Sequence, residues 1–309
     1  MTAPPLEKSR RQLWLAALKP PMYSVAVVPI WVGTAIARWE TGEVDWGTFT
    51  QFLTAAIAIV AWSNISNDVF DSETGIDRNK HHSLVNLTAN KSLVFWIGNG
   101  CLLIGLGLIL RIAYDQQDIT VLALIGAACL LGYLYQGPPF RLGYQGLGEI
   151  LCFFAYGPIT LSAVYYSQTQ SWSGVNLLAS ILLGWVTSLI LYCSHFHQVE
   201  DDRKAGKRSP IVRLGTARGA QLLPGICGIL FGLLLLFVLM GQFPVWTLLM
   251  GGSLPYAVKL CRFIGAHHHQ PQLVQNCKFI AVALHFWSGL LLGLGFMLAA
   301  QPWESFGLA

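Results

Sequence analysis

The sequence predicts an all-α integral membrane protein with nine transmembrane helices. Three observations carry this prediction: the composition, the lengths of the apolar stretches and the distribution of the cations. Of the 309 residues, 54% are hydrophobic and only 11% are charged, with a mean hydropathy of +0.54. Soluble domains carry about 25% charged residues, so this chain has too few to cover a water-facing surface. Its net charge of +4 is also too thinly spread for nucleic-acid binding.

Nine stretches are long enough to cross the bilayer, since about 30 Å of hydrocarbon requires roughly 20 apolar residues per helix. The first stretch is too long for a signal peptide and lacks a small-residue cleavage site. A Gly-Gln-Phe-Pro turn at 241–244 separates the seventh from the eighth. We expect residues 1–309 to form a single transmembrane domain. The predicted spans are 21–39, 49–66, 92–113, 119–136, 149–167, 176–196, 222–241, 243–262 and 277–299.

The cations set the predicted orientation. With the N-terminus in the cytoplasm, every one of the 19 lysines and arginines except Arg38 and Arg111 falls on the inner side of these spans. This is the distribution that the positive-inside rule describes, and it places the C-terminus outside. The outer connections are short, whereas the inner ones hold most of the polar residues. We therefore expect the function to lie on the cytoplasmic face.

An acidic cluster ends the second predicted span, in the sequence SNISNDVFDSETGID. Asn67 and Asp71 are four residues apart and Asp68 and Asp71 three apart, so a helix would place them on one face. Gly75 permits a reversal of the chain that can return Asp77 toward the same point. The cluster follows the apolar run directly, which argues against an ordinary solvated helix end.

A second acidic cluster ends the sixth predicted span, in the sequence HFHQVEDDRKAGKRSP. Gln198 and Asp202 are four residues apart, with Glu200 and Asp201 between them. A basic run follows at once, formed by Arg203, Lys204, Lys207 and Arg208. The two clusters lie four spans apart, which predicts two four-helix units plus one extra helix around a central cavity.

The two clusters together indicate a metal-bound diphosphate. Carboxylates that converge from two helices repel each other unless a cation lies between them. Oxygen ligands without His or Cys select Mg²⁺ or Ca²⁺, and Mg²⁺ completes its shell with water and substrate phosphate. The basic run would bind the phosphate, which is a good leaving group once its charge is neutralised. With an apolar interior behind the site, the predicted substrate is an isoprenyl diphosphate.

At these residues the chain resembles the UbiA-type membrane prenyltransferases, nine-helix enzymes with an NDxxD motif after helix two and a DxxxD-like motif after helix six. NDVFDSETGID matches the first motif, and Asp202 matches the last acid of the second. Gln198 departs from the pattern, because many members have Asp there. The stretches FHQVEDDRKAGKRSPIVRLG and YQGPPFRLGYQGLGE resemble the naphthoate-using branch in cyanobacteria and plastids, which serves menaquinone and phylloquinone synthesis.

The resemblance implies a Mg²⁺-dependent transfer of a prenyl group, phytyl, from its diphosphate to a bicyclic aromatic carboxylate, with decarboxylation. It also implies contact with membrane lipid, in an inner or thylakoid membrane. The expected catalytic residues are Asp71, Asp202 and Asp68. The expected metal ligands are Asn67, Asp71, Asp77 and Asp202, with Gln198, Glu200 and Asp201 as alternatives for completing the second shell. The expected diphosphate ligands are Lys207, Arg208, Arg203 and Arg141, and the expected acceptor ligands are Gln198, Tyr135 and His195. His195 could equally be a hydrogen-bonded polar residue that lines the cavity.

The sequence also allows a different acceptor or a transporter. Within the enzyme class, the acceptor could be homogentisate or a chlorophyllide. A transporter of lipid diphosphates would place its charges near the midplane on broken helices, often in inverted repeats. Here the charges lie at one face and the two halves would share one orientation, so an enzyme is favoured. Arg141 could equally be a positive-inside anchor, and Glu149 is interpreted as a carboxylate at a helix N-terminus.

Overall fold

The computed structural model describes residues 10–74 and 83–301, and within them the chain is helical without any strand. Short 3₁₀ segments lie at Pro20–Tyr23 and Val245–Ser253, and a π-helical turn at Ala155–Ile159. The α-helices are α1 (Arg10–Leu18), α2 (Ser24–Thr41), α3 (Trp46–Thr74), α4 (Leu84–Thr88), α5 (Lys91–Gln116), α6 (Thr120–Gln136), α7 (Gly148–Phe154), α8 (Thr160–Thr169), α9 (Gly174–Ser194), α10 (Val199–Lys204), α11 (Pro210–Leu214), α12 (Thr216–Leu239), α13 (Leu254–His267), α14 (Pro271–Val274) and α15 (Cys277–Leu298).

Seven helical segments of the described chain are long and apolar enough to cross a membrane, which confirms an all-helical, multi-pass membrane protein. They are Leu13–Thr41, Trp46–Thr74, Lys91–Gln116, Gly148–Thr169, Gly174–Ser194, Thr216–Leu239 and Pro271–Leu298. The count of nine spans and the division into two four-helix units stay predictions.

The two predicted spans outside this set differ from the other seven for local reasons. The helix α6 corresponds to the predicted span 119–136 but has only 17 residues, Thr120–Gln136. The predicted span at 243–262 is broken into the 3₁₀ segment Val245–Ser253 and the helix α13. Gly251 and Gly252 favour irregular backbone there, and Pro255, in the first turn of α13, has no N–H with which to continue a helix from before it.

The first and last apolar helices, α2 and α15, pack tightly against each other. A Cβ atom added at Gly289 or Gly293 of α15 would overlap Val28 or Trp31 of α2. The side chains of Trp31, Arg38 and Trp39 also donate hydrogen bonds of 2.9–3.1 Å to backbone carbonyls at Leu290, Met297 and Ala300. Small residues permit this close approach, which drives helix association in membranes.

The helix that carries the first acidic cluster and the helix that precedes the second are central to the packing. The helix α9 contacts α2, α7, α8, α12 and α15, and α3 contacts α2, α5, α6 and α8. At 1.5 Å per residue, the 29 residues of α3 extend roughly 44 Å, well beyond the hydrocarbon thickness of about 30 Å. Its last turns, which hold the first acidic cluster, therefore project past the apolar layer.

Candidate functional site

The first acidic cluster lies on the final turns of α3, which continues to Thr74 rather than ending near residue 66. Asn67, Asp68 and Asp71 are therefore all helical, as their spacing predicts. Asn67 is half-buried, and Asp68 is 1% exposed. Asp77 lies outside the described residues.

Asp68 and Asp71 have different partners, although they share one helix. One oxygen of Asp68 lies 3.2 Å from the ammonium of Lys19, and the other accepts a hydrogen bond of 3.0 Å from the backbone N–H of Leu84. Asp68 therefore ties the end of α3 to the segment before α2 and to α4. This geometry gives Asp68 a structural contact that its place in the motif does not predict.

Asp71 is bound from the loop between α6 and α7. Its Oδ1 accepts hydrogen bonds from the side-chain amide of Gln136 at 2.7 Å and from the hydroxyl of Tyr144 at 3.2 Å. The Tyr144 hydroxyl also lies 2.7 Å from Thr74 Oγ1. Burial, and next the charge of Asp71, raise the pKa of Tyr144 well above its usual value, so its hydroxyl stays a hydrogen-bond donor at neutral pH.

The second acidic cluster centres on Asp202, which lies on the short helix α10 and is fully buried. Its Oδ2 lies 2.9 Å from Nδ1 of His195. Its Oδ1 lies 3.8 Å from Nζ of Lys207 and accepts no hydrogen bond from the residues that the structure describes. Burial alone would raise the pKa of Asp202, but the hydrogen bond with His195 and the charge of Lys207 lower it overall. Asp202 is therefore an anion held in a buried position.

Tyr144 and Lys207 join the two clusters. The ammonium of Lys207 lies 5.6 Å from the centre of the Tyr144 ring, a cation–π distance, and the hydroxyl of the same ring reaches Asp71. The backbone of Arg208 also donates a 2.7 Å hydrogen bond to the Tyr144 carbonyl. The structure thus brings Asp71 and Asp202 to the same end of the bundle, as the pairing of the two motifs predicts.

Glu149 and His195 form a second layer behind Asp202. Nε2 of His195 lies 3.4 Å from Oε1 of Glu149, and His195 itself is 2% exposed. Neither Glu149 nor Tyr144 stands out in the sequence as a site residue. The available signal was their position in YQGPPFRLGYQGLGE, the stretch that resembles the naphthoate-using branch.

The remaining predicted residues divide between the inside and the edge of the site. Tyr135 packs its ring against Gly143 and Gly148, and Gln198 precedes α10 as its N-cap residue. Arg141 lies 3.0 Å from Glu73, which is also 2.7 Å from Lys91.

The surface of α10 opposite Asp202 is exposed. Glu200 and Arg203 form a 2.7 Å ion pair there, with side chains 67% and 57% exposed, while Arg208 is exposed and Asp201 half-buried. The structure does not bring Glu200 together with Asp202.

The oxygen atoms near the two clusters fit a hard divalent cation. Asp202 Oδ1 and the side-chain oxygen of Gln136 are both buried without a hydrogen-bond donor among the described residues, and Gln136 lies directly beside Asp71. Such oxygens are ligands that Mg²⁺ prefers. Within residues 10–74 and 83–301, no group of three or more His, Cys, Asp or Glu side chains is close enough to hold a metal ion without other donors.

An apolar groove of about 370 Å³ lies between α3, α5 and α6. Its volume falls within the range of small-molecule sites, about 300–1,000 Å³. At the end nearer Asp71, the rings of Phe70 and Tyr133 meet edge to face with centroids 6.0 Å apart. The lining includes Trp62, Ser66, Phe70, Asn99, Leu102 and Tyr133.

Comparison with known proteins identifies relatives along nearly the whole chain. The UbiA prenyltransferase family matches residues 26–288. The 2-carboxy-1,4-naphthoquinone phytyltransferase of Synechocystis sp. is 56% identical over 294 residues, covering 95% of this chain and 96% of the relative. The chloroplastic enzyme of the same name from Arabidopsis thaliana is 39% identical, covering 95% and 79%. The 1,4-dihydroxy-2-naphthoate octaprenyltransferase of Mycobacterium tuberculosis is 26% identical, covering 89% and 94%.

Solved structures show the same fold. A UbiA homolog from Archaeoglobus fulgidus superposes with a TM-score of 0.63 at 17% identity, covering 91% of this chain and 99% of that one. The same homolog bound to GPP and Mg²⁺ superposes with a TM-score of 0.57 at 17% identity and the same coverage.

Proposed function

This chain belongs to the UbiA prenyltransferase family, and from that premise we propose its reaction. It transfers a phytyl group from phytyl diphosphate to 2-carboxy-1,4-naphthoquinone or its reduced form, 1,4-dihydroxy-2-naphthoate. The carboxyl group leaves as CO₂, and the product serves phylloquinone or menaquinone synthesis. The observation that carries this proposal is the meeting of Asp71 and Asp202 beside Tyr144 and Lys207. The proposed substrates are those named for the relatives at 56% and 39% identity.

Two Mg²⁺ ions fit the acidic clusters. Asn67 and Asp71 would hold the first ion with help from Asp68 or Asp77, and Asp202 the second. Asp202 Oδ1 suits this role because it is buried, negatively charged and without a hydrogen bond from the described residues. When bound, Mg²⁺ supplies positive charge that neutralises the diphosphate as it leaves.

The protein's own cations would hold the diphosphate. Lys207 is 6% exposed, and its ammonium is positioned between the Tyr144 ring and Asp202. A buried ammonium next to the site binds an incoming anion without first losing a full hydration shell. Arg141, held at the edge of the site by Glu73, together with Arg203 and Arg208 on the exposed side, would attract the diphosphate from solution.

The apolar interior would protect the reacting carbon from water. The phytyl chain would lie along the groove beside Phe70 and Tyr133, with its diphosphate at Asp71. Loss of diphosphate breaks the C–O bond and gives an allylic cation. The ring carbon that bears the carboxylate forms the new C–C bond, and departing CO₂ returns its bonding electrons to the ring. Tyr135 and Gln198 are the proposed acceptor contacts, whereas His195 lies against Asp202 and Glu149.

The site is proposed to face the cytoplasm, in an inner or thylakoid membrane. With nine spans, α6 and the broken segment 245–267 would add two crossings to the seven long ones. All lysines and arginines except Arg38 and Arg111 would then lie on the side of Asp71 and Asp202.

The experiment is a transfer assay with the purified chain in lipid vesicles containing Mg²⁺. Phytyl, geranylgeranyl and longer prenyl diphosphates are each combined with carboxyl-labelled 1,4-dihydroxy-2-naphthoate, its quinone form, or homogentisate. We expect phytylated product and labelled CO₂ in equal amounts with a naphthoate acceptor, and both about 100–1,000-fold slower with Asp71→Asn. Faster transfer to homogentisate, or product without CO₂ release, would overturn the assigned acceptor.

A further inference from the structure

Buried behind Asp202 is a chain of three side chains from three helical segments. Glu149 lies in the first turn of α7, His195 is the C-cap residue of α9, and Asp202 lies on α10. Their atoms are separated by 3.4 Å from Glu149 Oε1 to His195 Nε2 and by 2.9 Å from His195 Nδ1 to Asp202 Oδ2. The side chains of His195 and Asp202 are 3% and 0% exposed, and that of Glu149 is 19% exposed. The contact between His195 and Asp202 is therefore shielded from water, and the contact with Glu149 only partly so.

From this geometry we propose that Glu149 and His195 are positioning residues that fix the orientation of the Asp202 carboxylate. This inference rests on the proposed function, since it concerns how Asp202 meets a metal-bound diphosphate. It differs from the role of acceptor ligand that the resemblance gives to His195. It also gives Glu149 a role beyond that of a carboxylate at a helix N-terminus.

The two oxygens of Asp202 have different surroundings, so fixing one of them determines where the other points. Oδ2 is occupied by His195, whereas Oδ1 accepts no hydrogen bond from the described residues and faces Lys207 at 3.8 Å. With Oδ2 held, the carboxylate cannot rotate freely about its Cβ–Cγ bond. Oδ1 is therefore presented to the side of the site where Lys207 and Tyr144 lie.

Glu149 in turn restricts the orientation of the His195 ring. A histidine that contacts one carboxylate through Nδ1 can still tilt, and a second contact at Nε2 fixes the plane of its ring. Ser188 of α9 donates a 2.8 Å hydrogen bond to the backbone carbonyl of Glu149, which joins the start of α7 to α9 at this point. Outer partners of metal ligands commonly set ligand orientation, and their loss reduces metal affinity by about 10–100-fold.

The test pairs a disruptive with a conservative change at each position. His195→Leu removes the donor to Asp202, whereas His195→Asn keeps a donor near the position of Nδ1. Glu149→Met removes the carboxylate that lies 3.4 Å from Nε2, whereas Glu149→Gln keeps an oxygen at that place. His268→Asn serves as the control, because His268 Nδ1 contacts Thr216 at the start of α12, at 3.1 Å. Binding of Mn²⁺ with inorganic diphosphate is measured by electron paramagnetic resonance on the detergent-solubilised chain.

We expect the dissociation constant for Mn²⁺ to rise about 10–100-fold in His195→Leu, less in Glu149→Met, and least in the two conservative variants and the control. Because Glu149 acts through His195, adding Glu149→Met to His195→Asn should weaken binding no further. In the transfer assay, the Mg²⁺ concentration for half-maximal rate should rise in step, with the KM for the acceptor unchanged.

Two results would overturn the inference. The first is unchanged Mn²⁺ binding in His195→Leu or Glu149→Met with a raised KM for the acceptor, which would make His195 an acceptor ligand. The second is a lowered melting temperature with unchanged Mn²⁺ binding, which would make the three residues purely structural. If His195→Leu does not fold, Glu149→Met and the double variant decide. A wild-type chain that transfers no prenyl group would refute the proposed function but leave the Mn²⁺ measurement able to decide this inference.

Discussion

Asp71→Asn removes the negative charge of Asp71 from the first motif but keeps its hydrogen bonds. In the structure, Oδ1 of Asp71 accepts from Gln136 and Tyr144 at 2.7 and 3.2 Å. Asparagine keeps an acceptor oxygen of the same size, and a hydrogen bond contributes a net of about 0.5–1.5 kcal/mol. We therefore expect the free energy of unfolding to change by less than about 1.5 kcal/mol.

The effect on activity should be far larger. The variant removes one full negative charge from the place where the metal-bound diphosphate would lie. Removing one preorganised electrostatic contact from an active site costs about 2.7–4 kcal/mol of transition-state stabilisation, or about 100–1,000-fold in kcat. Since the lost group is proposed to hold the metal, raising Mg²⁺ should restore only part of the rate.

Asp68→Asn is the matched comparison, made one turn away on the same helix. Asp68 contacts Lys19 and the backbone N–H of Leu84 and is nearly fully buried. Breaking a buried ion pair costs about 3–5 kcal/mol, but Lys19 keeps 17% of its side-chain surface in solvent. The expected loss of stability is therefore smaller, about 1–3 kcal/mol.

Both variants are measured in two ways: by thermal unfolding followed through tryptophan fluorescence, and by the transfer assay, normalised to folded protein. Asp71→Asn should lose activity and keep its melting temperature, whereas Asp68→Asn should show the larger loss of stability and the smaller loss of specific activity. Normal turnover in Asp71→Asn at ordinary Mg²⁺ would refute the metal role assigned to Asp71. Equal losses of specific activity in the two variants would refute the distinction between them.

Three further predictions concern single positions. Lys207→Met should raise the KM for the prenyl diphosphate about 10–150-fold, because a hydrogen bond to a charged group contributes that much to binding. The KM is measured at a fixed acceptor concentration, and an unchanged KM would exclude a contact between Lys207 and the diphosphate. Gly293→Ala should destabilise the protein by about 1–3 kcal/mol in thermal unfolding, because the added methyl group overlaps Trp31, and an unchanged melting temperature would contradict this packing. Asp45→Ala should cost about 1 kcal/mol at pH 7, because backbone and then side-chain hydrogen bonds from Thr48 lower the pKa of Asp45. A group with a lowered folded-state pKa stabilises fully above its unfolded pKa, so the difference from wild type should shrink as the pH falls below about 4 and on through the lowered pKa of Asp45.

Much of the fold was predictable because, in a bilayer, the length of an apolar stretch indicates whether it forms a membrane-spanning helix. A helix that crosses hydrocarbon must satisfy its own backbone hydrogen bonds, so the long apolar stretches of this chain become helices. The break at 245–267 was harder to predict. Its composition is that of a span, and only the local backbone effects of Gly251, Gly252 and Pro255 distinguish it.

The candidate site was predictable in its motifs and not in its internal contacts. Spacing places Asn67, Asp68 and Asp71 on one helix, and the structure agrees. Spacing does not reveal that Asp68 reaches Lys19, 49 residues away, or that Asp71 reaches Tyr144, 73 residues away. Because spacing does not reveal contacts between distant residues, the sequence predicts only a helix-terminal acid at Glu149, whereas in the structure His195 lies 3.4 Å from it.

The sequence by itself determined the class of this protein. Low charge, long apolar runs and two acidic motifs at the ends of two of those runs predict a membrane protein that binds an isoprenyl diphosphate, because composition and short-range spacing govern burial in lipid and helix formation. The resemblance of those motifs to the UbiA family adds the transfer reaction. Only the tertiary structure decided which acids meet and which oxygens remain available. Helix packing, with α3 and α9 at its centre, brings Asp71 and Asp202 to the same loop and turns Glu200 outward. Those outcomes depend on contacts between residues far apart in the chain, and no local pattern encodes them.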